Sequence, residues 1–174
     1  MTLGLVSDTH GVYHPELDVV FEGVDLILHA GDVGPGGIVE RLERLAPVVG
    51  VWGNIDGPAV RQRFGEHARI VAGGMRVWMT HIGGHPGRPG GRPRWDARVR
   101  ELLTAEPPDL FVCGHSHILR IERVKALGGM LYVNPGAAGT QGFHLVRTCV
   151  RLTVEDGKAT AAEVVHLPDP SRPG

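Results

Sequence analysis

The chain is poor in features that define several protein classes. Its only cysteines are Cys113 and Cys149. That is too few for a disulfide framework and the wrong spacing for a thiolate metal site. Both lie in apolar surroundings and read as buried free thiols. No apolar run approaches the roughly 20 residues of a membrane-spanning helix. The chain runs straight from its start into a strand-like segment, without a basic stretch ahead of an apolar one, so no secretory leader is expected. A cytoplasmic protein without membrane contacts is the expectation. A dominant charge is missing too. The net charge is −1 at pH 7, with neither a basic nor an acidic tail, so a nucleic-acid partner is not expected. No repeat or linker divides the 174 residues. They read as one domain over 1–167 with a loose tail over 168–174.

Against these absences stand 26 glycines and 10 histidines. Glycine at this level signals tight turns and close backbone approaches, and so many imidazoles raise the question of metal ligation. In the first half, strand-like runs at Leu3–Ser7, Asp25–His29 and Val48–Trp52 alternate with helix-like segments at Pro15–Phe21, Gly37–Ala46 and Pro58–Phe64. This alternation predicts parallel βαβ units. The second half reads as hairpins turning at Gly73-Gly74, Gly128-Gly129 and Glu155-Asp156-Gly157. A helix over Trp95–Ala105, with Val99, Leu102 and Leu103 as its apolar face, and a short strand over Leu110–Cys113 lie between them. The stretch Gly83–Arg94, rich in Gly, Pro and Arg, is expected to be neither helix nor strand.

The polar residues that end these strands form a pattern. Asp8 and His10 follow the first strand and Asp32 the second. Asn54 follows the third, and His81 ends the strand that follows the Gly73-Gly74 turn. His115 and His117 follow the strand after the long helix. Alternation along an extended chain would point Asp8 and His10 the same way. Each group neighbours a glycine: Gly11, Gly31, Gly53, Gly83 or Gly114. Ligands bind at the carboxyl ends of strands in open α/β sheets. Seven oxygen and imidazole donors exceed what one ion needs, but suit two ions about 3.5–4 Å apart that share a carboxylate. Mixed carboxylate, amide and imidazole donors favour Mn²⁺, Fe²⁺, Ni²⁺ or Zn²⁺ over Ca²⁺.

Taken as an ordered set, Asp8-x-His10, Gly31-Asp32, Gly53-Asn54, His81 and Gly114-His115-x-His117 resemble the signature of the calcineurin-like metallophosphoesterases. The short chain, Asn134-Pro135-Gly136 and the terminal hairpin resemble the small single-domain phosphodiesterase branch of that superfamily. The resemblance implies a four-layer α/β/β/α sandwich of two mixed β-sheets flanked by helices. It implies that Asp8, His10 and His117 hold one metal, that Asn54, His81 and His115 hold the other, and that Asp32 bridges them. It also implies a dimetal phosphodiesterase, with Mn²⁺ favoured, acting on small phosphodiesters or nucleotides by in-line attack of a metal-bridging hydroxide. No protein nucleophile is expected. The alternative is a non-catalytic scaffold of the same fold, and association of copies of the chain is left open. A DNA-repair nuclease is disfavoured by the short length and the lack of a concentrated basic surface.

The sequence departs from its relatives in two places. Larger family members carry a histidine directly after the Gly-Asn pair, where this chain has Ile55 followed by Asp56. Without that acid, aryl esters should be hydrolysed faster than alkyl esters. Asp56 is expected to stand behind the ligands and orient a ligand histidine. Extra residues also separate His81 from His85 where the branch has Thr-His-Gly-His. His81 is then the ligand, and His85, Arg88 and Arg92 are candidate substrate contacts.

Overall fold

The computed structural model describes residues 1–88, 91–142 and 146–168. Apolar, β-branched runs form the strands, and they assort into two five-stranded sheets. The first contains β1 (Thr2–Val6), β2 (Leu26–His29) and β3 (Val48–Gly50) in parallel, with β11 (Arg147–Glu155) and β12 (Lys158–Leu167) added antiparallel beside β1. The second has the order β4-β5-β8-β10-β9, formed by His67–Ala72, Met75–Thr80, Leu110–Val112, Met130–Asn134 and Arg120–Val124.

Between the sheets, Leu3, Leu5 and Leu28 of the first pack with Val77, Met79, Val112 and Val133 of the second. On the outer face of the first sheet, α1 (Glu16–Val20) and α2 (Ile38–Leu42) bury Leu17, Ile38 and Leu42 against Val6 and Ile27. On the outer face of the second, α4 (Ala97–Ala105) buries Val99 and Leu103 against Trp78, Phe111 and Tyr132. The result is the expected α/β/β/α sandwich. A further short helix, α3 (Pro58–Arg63), follows β3.

Several local expectations change. The second sheet is not mainly antiparallel, because β5 and β10 both run parallel to the central β8. Within Gly83–Arg94 the chain forms part of a small ladder, in which β6 (Gly84–His85) pairs with β7 (Arg94–Trp95). Leu102 is 42% exposed rather than on the buried face of α4. The N-terminal part of the third expected hairpin, Phe143–Leu145, lies outside the described residues, as does the tail from residue 169. Pro168 is described, and its carbonyl lies 2.5 Å from Nε2 of the buried His14. Among the described residues, no helix is long and apolar enough to cross a membrane.

Candidate metal centre

The seven donors lie where strands of both sheets end, and the structure brings all of them together. Asp8 Oδ1 lies 3.2 Å from His117 Nε2 and 4.0 Å from His10 Nε2, and the two imidazole nitrogens are 3.2 Å apart. Asn54 Oδ1 lies 3.1 Å from His81 Nε2 and 2.9 Å from His115 Nδ1. Asp32 spans the two groups. Its Oδ2 is 3.9 Å from His10 Nε2, and its Oδ1 is 3.3 Å from His81 Nε2.

Alternation along a strand does not produce this convergence. β1 stops at Val6, so Asp8 and His10 lie beyond it. Both have left-handed backbones, as do Asp32, His115 and His117, with φ between 48° and 66°. Non-glycine residues adopt this region rarely, and its strain concentrates at functional sites. Local hydrogen bonds hold the turns. Asp8 N–H donates to Gly31 C=O at 3.0 Å, and His10 N–H donates to Asp32 C=O at 2.9 Å. Glycine is required at Gly53 by close approach, since a Cβ there would lie 2.1 Å from Asp32 Oδ1.

The electrostatics call for a cation. Nδ1 of His81 sits 2.8 Å from the Ala30 carbonyl, and only an N–H can serve that oxygen. In the neutral ring, Nε2 therefore presents a lone pair toward the Asn54 and Asp32 oxygens, which are themselves acceptors. Either a proton or a metal ion relieves that repulsion. Burial lowers the proton affinity of His81, but the contacts with Asp32 and the charge of Asp8 overcome it, and the pKa is raised. Burial pushes the Asp32 carboxyl up, yet the His81 bond and the Ile55 N–H hold it below its usual range. His117 is raised, chiefly by its contact with Asp8. His115 is lowered by burial and by His81. Mixed oxygen and imidazole donors, with two carboxylates buried among four histidines, fit divalent first-row ions.

Residues behind the centre fix it. Asp56 is buried and accepts three backbone N–H groups, from Gly53 at 2.7 Å, Gly34 at 2.8 Å and Val33 at 3.2 Å. It therefore ties the loop of Asp32 to the loop of Asn54; the side chain bonds backbone rather than orienting a histidine. Two contributors escape sequence reasoning. Buried Asn134 donates to Gly114 C=O at 2.8 Å and to Ser116 Oγ at 3.0 Å, bracing the His115–His117 turn. The signal for it was a polar residue ending an apolar strand before Pro135-Gly136. Buried His29 accepts from Gly31 N–H at Nδ1, so its Nε2–H donates to Thr9 Oγ1, whose hydroxyl donates to Val33 C=O. Burial lowers the His29 pKa to about 4.

His85 is placed differently. Its Nδ1 accepts from Gly87 N–H at 3.0 Å and lies 3.4 Å from the Arg120 guanidinium. Burial and Arg120 lower its pKa. Its described contacts are with Gly87 and Arg120 and not with the seven donors. Arg88 and Arg92 are exposed on the same loop.

Comparison with known proteins identifies the family of the chain. Residues 1–157 match the model of the calcineurin-like phosphoesterase superfamily domain. A probable metallophosphoesterase of Methanothermobacter thermautotrophicus is 31% identical over 180 residues, covering 98% of this chain and 95% of that protein. A probable metallophosphoesterase of Methanocaldococcus jannaschii is 30% identical over 164 residues, covering 90% and 77%. Among solved structures, an archaeal phosphodiesterase superposes with a TM-score of 0.70 at 21% identity, covering 96% of this chain and 100% of that one. Vps29 of Entamoeba histolytica, complexed with Zn²⁺, also superposes with a TM-score of 0.70, at 22% identity over 96% of this chain and 98% of that one. At such identities the two structures speak to the fold alone.

Proposed function

The chain belongs to the calcineurin-like phosphoesterase superfamily, and from that premise we propose that it is a dimetal phosphodiesterase acting on small phosphodiesters or nucleotides. The observation that carries this reading is Asp32, which turns one carboxylate oxygen toward His10 and the other toward His81. Asp8, His10 and His117 would hold one cation, Asn54, His81 and His115 the other, and Asp32 both. Two divalent cations would supply Lewis-acid activation of water and offset the charge of the phosphoryl group, with Mn²⁺ favoured and Fe, Ni or Zn the other fits.

The chain's own residues then have defined tasks. Asp8 and Asp32, both buried, supply the carboxylates of the site. The Ala30 carbonyl fixes the His81 tautomer, leaving Nε2 as a donor atom. His115 and Asn54 are exposed, so the substrate approaches from their side. Ile55 is not an acid, so leaving-group protonation is weak and good leaving groups react fastest. His85, Arg88 and Arg92 are proposed to contact the substrate beyond the phosphate. Unchanged KM values after their substitution would remove them from the site.

Intact donors at all seven positions favour the enzyme over a non-catalytic scaffold of the same fold. The test is hydrolysis of bis(p-nitrophenyl) phosphate by the full chain with Mn²⁺. Metal-dependent turnover that Asp32→Asn abolishes supports the proposal. A folded, metal-loaded protein inactive on phosphodiesters and phosphomonoesters would support the scaffold.

A further inference from the structure

The chain has seven isoleucines. Four are buried or half-buried, and three are exposed: Ile55 at 47%, Ile82 at 43% and Ile118 at 52%. Each exposed isoleucine directly follows one of the seven donors, Asn54, His81 or His117. Adjacent Cα atoms are about 3.8 Å apart. Contacts among the three donors' neighbours therefore bring the isoleucine backbones to the rim of one site. Asn54 Oδ1 touches His81 Nε2, so Ile55 and Ile82 each follow a donor of the same pair. Ile118 follows His117, which lies against Asp8 and His10.

These positions are held in place. Ile55 N–H donates to Asp32 Oδ1 at 3.1 Å, and Ile118 N–H donates to Ser116 Oγ at 3.3 Å. Ile82 and the half-buried Trp52 line a cavity of about 120 Å³ whose wall includes Asn54 and His81. The Arg61 guanidinium stacks on the Trp52 ring at 4.0 Å and stiffens it. β-Branched side chains are restricted at χ1 outside helices too, which makes contact cheaper in entropy.

Resting on the phosphodiesterase reading, we propose that Ile55, Ile82 and Ile118 form an apolar collar that selects substrates carrying an aromatic or bulky apolar group on a phosphoryl oxygen. The Trp52–Ile82 cavity takes a group about one ring in size. The collar discriminates by contact with the organic part of the ester, and the phosphoryl group contributes equally to all substrates.

Titration calorimetry on the Mn²⁺-loaded full chain tests this without turnover, using phenylphosphonate and methylphosphonate as probes. The collar predicts that phenylphosphonate binds at least about 10-fold more tightly, a discrimination typical of a small apolar pocket. The ratio should fall toward one in I55S/I82S/I118S, with the fold checked by circular dichroism. Each single variant should lower it part of the way, which keeps the test available if the triple variant does not fold. Equal affinities in the native chain, no binding of either probe, or a ratio unchanged in every folded variant would overturn the collar. A phenyl preference without hydrolysis of bis(p-nitrophenyl) phosphate would remove the phosphodiesterase reading and leave the collar. Hydrolysis with equal phosphonate affinities would do the reverse.

Discussion

The two sheets contribute differently to the candidate centre. Ends of the first sheet supply every oxygen donor, Asp8, Asp32 and Asn54, with a single imidazole from His10. Ends of the second supply imidazoles only, from His81, His115 and His117. Both carboxylates thus sit on one side of the sandwich, and three of the four imidazoles on the other. Neither sheet alone offers a complete set for either ion. Cations held there would join the sheets at one end of their shared core, coupling metal binding to the stability of the sandwich. Exposure cuts across both sheets. Asp8, Asp32 and His81 are buried, whereas Asn54 and His115 face solvent.

The comparison is broken most severely at the residue that faces both groups. Asp32→Asn removes the shared charge, and kcat/KM for bis(p-nitrophenyl) phosphate with Mn²⁺ should fall at least about 10³-fold, near 4 kcal/mol of transition-state stabilisation. A loss under about 10-fold would mean that Asp32 is not shared.

A buried imidazole of the first sheet sharpens the contrast through pH. The folded His29 pKa is about 4 against an ordinary value of 6.5. Because the folded value is depressed, the unfolded chain takes the proton first as pH falls. Stability from this residue is complete above about pH 7 and is lost between 6.5 and 4, at most about 3 kcal/mol. Urea midpoints measured across that window should fall, and His29→Gln should flatten the slope. An equally steep slope in that variant would assign the effect to other groups.

Coupling across the sheets predicts a gain in stability from metal. Mn²⁺ at 100 times its dissociation constant should add about 2.7 kcal/mol for each ion bound, raising Tm by roughly 5–10 °C per ion for a chain of this size. Thermal unfolding with and without chelator reads this directly, and an unchanged Tm would separate the sheets from the metal.

The smallest expected effect lies behind the first sheet. Asp56→Asn keeps the shape of the side chain but weakens three N–H bonds by removing its charge. It should cost about 1–2 kcal/mol in urea unfolding, with kcat falling more than KM because Asp32 and Asn54 shift together. Loss of stability with kcat intact would make Asp56 a purely structural brace.

The donors were legible because each ends an apolar run beside a glycine, a signal that is local in sequence. Their mutual approach was not legible by strand alternation. Asp8 and His10 converge through left-handed turns that depend on bonds to Gly31 and Asp32, residues more than twenty positions away. Long-range pairing hid other features for the same reason. The β6–β7 ladder joins residues across a glycine-rich loop, and β8 lies parallel to strands that no hairpin signal connects to it. Asp56 looked like a partner for a histidine because its sequence position does not reveal that three N–H groups converge on its carboxylate. Ile55 drew notice as a missing acid. Its kinship with Ile82 and Ile118 became visible only through exposure.

The central claim is that donors from both sheets complete two cation sites around Asp32. Metal counting on Mn²⁺-saturated, desalted protein tests it most directly, with the native chain measured beside His117→Ala and His81→Ala. The account predicts two ions per native chain and about one in each variant, because each loses a second-sheet donor from a different site. One ion or none in the native chain, or two in both variants, would contradict it.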